Sequence, residues 1–265
     1  MSWIEALILG IIQGLTEFLP VSSSGHLELG KHILGVTATD NLTFTVVVHG
    51  ATVLSTLVVF RKSLLELLKG VFEFKWNEQT QYIFKIGVSM VPIAIVGFFF
   101  KDYVEDIFNS PEILLIVGSC LIFTALLLGF TNYKKQGDKE ISFKHAFIIG
   151  VAQTIAVLPG VSRSGSTIAT GLLLGNKSVD MARFSFLMVL VPILGENFLS
   201  ILKADYAAPE SISVVALLIG FVAAFVSGLL ACNWMIRLVK NGKLIYFAIY
   251  CAVVGVLALG SQLFF

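Results

Sequence analysis

Long apolar runs dominate this chain of 265 residues, and six of them reach the length of a membrane crossing. An α-helix needs about 20 mostly apolar residues to cross the hydrocarbon core of a bilayer. Runs of that length predict transmembrane helices at 42–60, 83–100, 113–131, 184–202, 213–235 and 244–264. The pattern therefore predicts an all-α polytopic membrane protein.

Two further apolar stretches, at 3–19 and 146–158, are too short to cross comfortably. Each runs into Leu-Pro and then into a cluster of serine and glycine, after which a helical pattern resumes near 24–35 and 163–175. Each pair predicts a re-entrant helical hairpin. Broken backbone at membrane depth is tolerated only where it is buried in protein or lines a wet cavity. The two breaks therefore mark the candidate functional site.

The two breaks are copies of one phrase, QGLTEFLPVSSSGH at 13–26 and QTIAVLPGVSRSGS at 153–166. Each copy is followed by three predicted spans. A unit with an odd number of crossings leaves the next unit upside down in the membrane, which defines an inverted-topology repeat. We therefore predict one integral membrane domain built of two repeats, 1–135 and 136–265, each a re-entrant helical hairpin plus three transmembrane helices.

Composition agrees with a membrane protein, and the placement of charge predicts its orientation. The chain is 57% hydrophobic and 13% charged, and its net charge of +1 gives no argument for a nucleic-acid partner. Most Lys and Arg residues fall in the loops 61–82, 132–145, 176–183 and 236–243. By the positive-inside rule these loops are cytoplasmic, which predicts a multi-pass protein of the bacterial inner (plasma) membrane with both termini outside. The segment 61–81 is either an amphipathic surface helix or a solvated loop.

The second copy of the phrase has the composition of an anion site. Gly160 helps to end one half-helix, Ser162 is a natural N-cap, and Arg163, Ser164 and Thr167 lie in the first turn of the next helix. Free backbone N–H groups, hydroxyls and a guanidinium together suit a phosphate group. A lone arginine deep in a membrane is expensive and indicates function. The alternative, which does not exclude function, is that Arg163 pairs with a carboxylate and joins the two repeats.

The first copy differs from the second in its chemistry. Gln13 and Glu17 are four residues apart and share one helical face. After the Leu-Pro break come Ser22, Ser23, Ser24, Gly25 and His26. One half thus offers a carboxylate, hydroxyls and an imidazole, and the other offers a cation, a division that suits phosphoryl transfer. For His26 alone, the alternative is a hydrogen-bonded core histidine.

Two polar residues inside predicted spans stay outside the predicted site. His49 is either an interhelical hydrogen-bond partner or a residue that lines the cavity. Glu196 is expensive enough in a membrane to require a partner or water.

The two phrases resemble the signature motifs of the bacitracin-resistance type undecaprenyl-diphosphate phosphatases, Glu or Gln-x-x-x-Glu and Pro-Gly-x-Ser-Arg-Ser-x-x-Thr. The resemblance extends to the length, to the ARFSFL phrase at 182–187 and to the hydrophobic layout. It implies a membrane enzyme that hydrolyses undecaprenyl diphosphate to undecaprenyl phosphate and inorganic phosphate, recycling the lipid carrier for cell-wall synthesis and conferring bacitracin resistance. It also implies a divalent cation, Mg²⁺ or Ca²⁺, and an active site that opens outward.

Carried over by position, the resemblance implies catalytic roles for Glu17, Ser23, His26 and Arg163. Glu17 matches the required carboxylate, as a metal ligand or as the group that activates a nucleophile, and Gln13 takes the place where many relatives have a second Glu. The remaining motif positions imply substrate-binding roles for Ser22, Ser24, Gly25, Gly160, Ser162, Ser164 and Thr167. The nucleophile is Ser23, His26 or water.

A second class of function remains open, because inverted repeats with broken helices are also a recurrent design of transporters. The alternative is a polyprenyl-phosphate transporter or flippase with the same fold. A homodimer also remains open.

Overall fold

The chain folds into α-helices, and the computed structural model describes residues 1–36, 41–134, 137–202 and 212–261. The helices of these residues are α1 (Trp3–Phe18), α2 (Ser23–Leu34), α3 (Asn41–Val59), α4 (Arg61–Phe72), α5 (Glu78–Phe99), α6 (Lys101–Phe108), α7 (Ile113–Thr131), α8 (Phe143–Ile155), α9 (Arg163–Leu173), α10 (Ser178–Leu202), α11 (Val214–Lys240) and α12 (Ile245–Ser261). Among the described residues the only extended pairing is an isolated bridge between Lys139 and Asn176. The predicted all-α class is confirmed.

Each of the six predicted spans coincides with a helix, α3, α5, α7, α10, α11 and α12. Within the described residues, α5, α7, α10 and α11 are long and apolar enough to cross a membrane. Helix α3 qualifies only together with α4, from which it is bent by 74°, and α12 is a shorter apolar helix. Four or five crossings are therefore evident by length and composition, and six remains a prediction. The predicted boundary at 135/136 and the side chain of Glu196 lie outside the described residues.

Both predicted half-helix pairs are present, with breaks at 19–22 and 156–162. Helix α1 ends at Phe18, and the next residue, Leu19, has an extended backbone, because a residue that precedes proline is disfavoured in the helical region. In the second pair, Gly160 has a φ of 97°, a left-handed conformation that glycine adopts without steric cost. The sequence therefore ends both half-helices by local backbone chemistry.

Small residues let each first half-helix approach a long apolar helix closely. Helix α1 packs against α11, and α8 packs against α5. A Cβ added at Gly10 would come within 2.5 Å of the Gly220 carbonyl oxygen, and one added at Gly150 would come within 2.3 Å of the Ser89 carbonyl oxygen. Gly10 and Gly150 are equivalent positions of the sequence repeat, so the same close approach occurs in both halves.

A buried aromatic cluster supports the helices that surround the breaks. Phe18, which ends α1, packs edge-on against Phe186 of α10 at a centroid distance of 5.7 Å. Phe186 also contacts Phe60 at 6.0 Å. These side chains are all buried. The core therefore fixes the end of α1 against α10, and with it the position of the neighbouring residue Glu17.

The segment that follows α3 forms a helix, α4. Of the two alternatives for 61–81, a surface helix and a solvated loop, the structure shows the helix. Its Leu67 and Gly70 are buried, whereas Leu65, Leu68 and Phe72 are exposed. These exposed residues are three and four positions apart and form one apolar stripe. Helix α4 is therefore amphipathic, with an apolar face suited to the surface of a bilayer.

Replacing Gly10 by alanine is expected to destabilise the fold by about 1–3 kcal/mol, because the new methyl group meets a main-chain carbonyl that cannot rotate away. Gly150→Ala should act in the same direction. Gly87 in α5 has open space around its Cβ position, so Gly87→Ala is the matched control and should keep or raise stability. Thermal unfolding of the purified protein in detergent measures all three. Equal melting temperatures for the Gly10 and Gly87 variants would contradict the close contact.

Candidate active site

The two breaks lie in direct contact, as we predicted from the repeated phrase. The backbone N–H of Gly160 donates to the Ser22 hydroxyl oxygen at 3.2 Å. In the opposite direction, the Ser164 hydroxyl donates to the Leu19 carbonyl at 3.3 Å. A Cβ added at Gly25 would lie 3.0 Å from the Gly160 Cα. Residues about 140 positions apart therefore form one site.

A serine caps the helix that follows each break. The Ser22 hydroxyl accepts from the Gly25 N–H at 3.3 Å, and the Ser162 hydroxyl accepts from the Gly165 N–H at 3.0 Å. Helix α2 and helix α9 thus begin side by side. A helix N-terminus carries partial positive charge and unpaired N–H groups, so two of them in contact favour an anion.

An ion pair connects the two halves at this point. Arg163 Nη2 lies 2.5 Å from Glu17 Oε1, and the two side chains are 25% and 5% exposed. The alternative that Arg163 pairs with a carboxylate is therefore confirmed. The contact uses one of the five N–H donors of the guanidinium, so it leaves donors for a second anion.

The second oxygen of the Glu17 carboxylate accepts from its own half. Ser23 Oγ donates to Glu17 Oε2 at 2.7 Å, and Gln13 Nε2 donates to the same oxygen at 2.7 Å. Gln13 is fully buried, and its Oε1 has no hydrogen-bond partner among the described residues. The structure therefore brings the predicted residues Gln13, Glu17, Ser23 and Arg163 together.

His49 reaches the same carboxylate, although the sequence left its role open. Its Nε2 lies 3.8 Å from Glu17 Oε2, and its Nδ1 donates to the Thr45 carbonyl at 2.8 Å. A carbonyl oxygen only accepts, so Nδ1 of His49 carries a proton, and Nε2 faces the carboxylate. His49 of α3 thus meets Glu17 of α1 across a helix interface, and both alternatives for its role remain predictions.

His26 has different partners from Glu17. Its Nδ1 lies 2.8 Å from the Ser22 carbonyl oxygen, and its Nε2 lies 2.9 Å from the hydroxyl of Tyr250. His26 is therefore held at the same turn as the Ser22 hydroxyl, beside the anion site. Tyr250 was not predicted from the sequence.

The other predicted substrate-binding residues line the same turns. Ser24 Oγ lies 3.4 Å from Ser22 Oγ, and Ser164 Oγ lies 3.5 Å from Ser162 Oγ. Thr167 is turned inward, because its hydroxyl donates to the Arg163 carbonyl at 2.9 Å. The serines therefore place their hydroxyls at the helix N-termini, whereas Thr167 stabilises the turn that holds the arginine.

Two buried hydroxyls that the sequence analysis missed brace this turn. Thr124 of α7 donates to the Gly160 carbonyl at 3.1 Å and accepts from the Ser162 N–H at 3.0 Å. Ser185 of α10 lies 2.6 Å from the Thr167 hydroxyl. Both residues lie within apolar spans, where a hydroxyl most often bonds to its own helix. The hydrophobic pattern therefore gave no signal of a site, and the only hint was that Ser185 belongs to the ARFSFL phrase.

A cleft between α3 and α10 begins at the ion pair of Glu17 and Arg163. One part of its lining is polar and the other part is apolar. The polar residues are Glu17, Thr52, Thr56, Arg163, Ser164 and Ser185, and the apolar residues are Phe18, Val53, Phe186, Val189, Leu190 and Ile193. The cleft thus connects the ion pair with an apolar surface formed by α3 and α10.

Fold and site together define an integral membrane protein in which two broken helical segments meet around a buried ion pair. The chain matches the family described as Bacitracin resistance protein BacA over residues 6–257. It belongs to this family.

Relatives in this family cover the whole chain. This chain is 57% identical over 267 residues to the Undecaprenyl-diphosphatase of Bacteroides thetaiotaomicron. The match covers 99% of this chain and 100% of that protein. The chain is also 58% identical to the Undecaprenyl-diphosphatase of Parabacteroides distasonis, with 99% of each chain covered. A more distant relative, the Undecaprenyl-diphosphatase of Halothermothrix orenii, is 37% identical over 97% of each chain.

Arg163→Lys is expected to lower turnover by about a hundredfold or more, because an ammonium keeps the charge but loses the planar fork that grips a phosphate. Arg163→Ala should be at least as severe. The control is Arg61→Lys, since the exposed Arg61 bonds only the Val58 carbonyl among the described residues. Phosphate release by each purified variant, normalised to the amount in the membrane, measures the effect. Turnover near the wild-type rate in Arg163→Lys would show that charge alone suffices.

Proposed function

We infer that this chain is an undecaprenyl-diphosphatase of the bacterial inner (plasma) membrane. It hydrolyses undecaprenyl diphosphate to undecaprenyl phosphate and inorganic phosphate, recycles the lipid carrier for cell-wall synthesis and confers bacitracin resistance. The inference is supported by full-length relatives of that name at 57% and 58% identity. The contact of Arg163 with Glu17 between two helix N-termini supports it independently, because it supplies a cation, a carboxylate and N–H donors in one place.

We propose that the terminal phosphate of the substrate lies against Arg163 and the N-termini of α2 and α9. The hydroxyls of Ser22, Ser24, Ser162 and Ser164 surround this position, and the backbone at Gly25 and Gly160 allows close approach. Preorganised donors of this kind stabilise the charge that develops in phosphoryl transfer. The apolar part of the cleft receives the beginning of the prenyl chain.

The 2.7 Å hydrogen bond from Ser23 to Glu17 supports Ser23 as the nucleophile. Ser23 Oγ attacks the terminal phosphorus, its proton passes to Glu17, and the bond to the bridging oxygen breaks to release undecaprenyl phosphate. Water then attacks the phosphoserine, and inorganic phosphate leaves. A carboxylate in contact with a hydroxyl is the arrangement that activates such a nucleophile. Both ring nitrogens of His26 are bonded, one to the Ser22 carbonyl and the other to the Tyr250 hydroxyl, so His26 supports the Ser22 turn, and its catalytic role remains a prediction.

The side-chain oxygen atoms of Glu17 and Gln13 suit a divalent cation, Mg²⁺ or Ca²⁺. Glu17 and the unpartnered Oε1 of Gln13 are the residues that would hold it, and both supply the oxygen ligands that these ions prefer. The described residues offer no cluster of three or more His, Cys, Asp or Glu side chains, so the protein supplies few charged ligands. When bound, the cation neutralises charge on the phosphate oxygens.

We further propose that the chain is an inverted repeat with two re-entrant hairpins and six crossings. The equivalent contacts of Gly10 and Gly150, and the paired caps at Ser22 and Ser162, support this architecture. The uneven distribution of Lys and Arg supports a cytoplasmic position for the loops 61–82, 132–145, 176–183 and 236–243. Both termini would then lie outside, and the active site would open outward. A homodimer remains a prediction.

Purified protein in detergent is expected to release inorganic phosphate from undecaprenyl diphosphate and to leave undecaprenyl monophosphate, identified by mass spectrometry. The Arg163→Ala variant is the inactive control for a contaminating phosphatase. The same protein in vesicles tests the transporter alternative. Movement of a polyprenyl phosphate across the bilayer without phosphate release would show that the chain is a transporter and not this enzyme.

Glu17→Gln is expected to abolish metal-dependent hydrolysis, because it removes the one carboxylate that contacts Ser23 and Arg163 within the described part of the chain. Gln13→Ala should leave a reduced but measurable rate, and Gln13→Glu should keep activity and strengthen the dependence on metal. Glu5→Gln is the control, since Glu5 caps α1 and is remote from these contacts. Hydrolysis across Mg²⁺ and Ca²⁺ titrations, together with direct Ca²⁺ binding by calorimetry, measures the effects. A Glu17→Gln variant with wild-type rate and metal response would exclude Glu17 as ligand and as base.

A further inference from the structure

The imidazole of His26 is held at both of its nitrogens. Its Nδ1 lies 2.8 Å from the Ser22 carbonyl oxygen. Because a carbonyl accepts and never donates, Nδ1 carries the proton, and the neutral ring offers an electron pair at Nε2. The Tyr250 hydroxyl, at 2.9 Å from Nε2, therefore donates to it. Tyr250 selects the same tautomer as the Ser22 carbonyl.

The ring of Tyr250 lies beside the imidazole and nearly parallel to it. The interplanar angle is 14° and the centroid distance is 5.5 Å. The Tyr250 hydroxyl therefore reaches Nε2 close to the plane of the imidazole, where the electron pair of this nitrogen lies. This bond and the bond of Nδ1 to Ser22 together fix the rotation of the ring.

Helix α12 is anchored to the first break next to this contact. Cys251, the residue after Tyr250, is fully buried, and its Sγ lies 3.7 Å from the Pro20 carbonyl oxygen. Helix α12 itself packs along α7, which carries Thr124. The last helix thus reaches the first break at Pro20 and His26. Tyr250 is placed there by the fold, although it is 224 residues from His26 in sequence.

The turn that His26 bonds is strained, so its position depends on its contacts. Ser22 has a φ of 70°, a left-handed conformation that is uncommon for any residue with a side chain. Such conformations persist only where the surroundings over-determine them. Here the surroundings are the Gly25 and Gly160 N–H groups on the hydroxyl and His26 on the carbonyl. A chain of bonds therefore runs from Tyr250 through His26 and Ser22 to Gly160 of the second break.

We propose that Tyr250 is a positioning residue for hydrolysis. Its hydroxyl fixes the tautomer and orientation of His26 and, through His26, supports the strained Ser22 turn at the phosphate site. The proposal rests on the proposed function, in which the Ser22 turn holds the terminal phosphate of the substrate. Tyr250 itself contacts His26 and no reacting atom.

Tyr250→Phe tests the hydroxyl while keeping the ring. We expect kcat to fall about tenfold with little change in KM, since a tenfold loss corresponds to about 1.4 kcal/mol, which is within the range of one hydrogen bond. Tyr246→Phe is the matched control, because Tyr246 lies one turn earlier on α12 and is 64% exposed. It should leave both constants unchanged. A fall in kcat of equal size in Tyr246→Phe would show a general effect on α12 and overturn the proposal.

A spectroscopic measurement tests the hydrogen bond without turnover. The chain has four histidines, so protein labelled with ¹⁵N-histidine gives few side-chain signals, and His26→Gln assigns that of His26. In Tyr250→Phe, Nε2 of His26 loses its hydrogen-bond donor, so its ¹⁵N resonance should shift toward that of an unbonded imidazole nitrogen. Tyr246→Phe should leave this resonance in place. An unchanged resonance in Tyr250→Phe would overturn the proposal.

The double variant His26→Gln with Tyr250→Phe separates this proposal from the proposed function. If Tyr250 acts through His26, the double variant is no slower than His26→Gln alone, because effects within one contact are not additive. A further tenfold loss would show that Tyr250 acts independently of His26 and would overturn its positioning role. A slow His26→Gln with a fully active Tyr250→Phe would overturn this proposal only. Full activity of His26→Gln would overturn the role of His26 and that of Tyr250 with it.

Discussion

The ion pair between Arg163 and Glu17 is the constraint on which the site depends. A lone charge at membrane depth costs several kcal/mol, and a buried charge that loses its partner destabilises a protein strongly. Each of the two residues belongs to a different half, so neither half can bury its charge alone. The need for neutralisation therefore brings the two breaks together. The same pair leaves guanidinium donors for a phosphate, which allows one arrangement to serve folding and binding.

Around this pair the two halves share a backbone plan and differ in chemistry. Gly10 and Gly150 make the same close contact, and Ser22 and Ser162 cap equivalent helices. However, Ser22 has a φ of 70°, whereas Ser162 has a φ of −70°. The strain is thus confined to the half that contributes the carboxylate, the serine and the histidine. In the proposed function, one half is a regular anion clamp, and the other holds the reactive groups in a strained conformation that its neighbours maintain.

Local signals in the sequence predicted the breaks, the caps and the contact of the two copies, because proline, glycine and serine act on their own backbone and because a repeat implies equivalent surroundings. The sequence did not predict the braces at Thr124, Ser185 and Tyr250. These contacts join residues 18 to 224 positions apart, and a single polar residue in an apolar span has no period that indicates its partner. His49 was noticed for its polarity, but only the packing of α3 against α1 placed it beside Glu17.

The amide of Gln13 is a consequence of the same charge balance. Gln13 Nε2 donates to Glu17 at 2.7 Å, which an ionised carboxylate at this position cannot do. With Gln13 neutral, the single negative charge of Glu17 is matched by the single positive charge of Arg163, and the site is balanced in a low-dielectric environment. A divalent cation adds two positive charges that the protein does not neutralise. We therefore expect the diphosphate, which has several negative oxygens, to provide most of the charge that holds the cation, so that cation and substrate bind together.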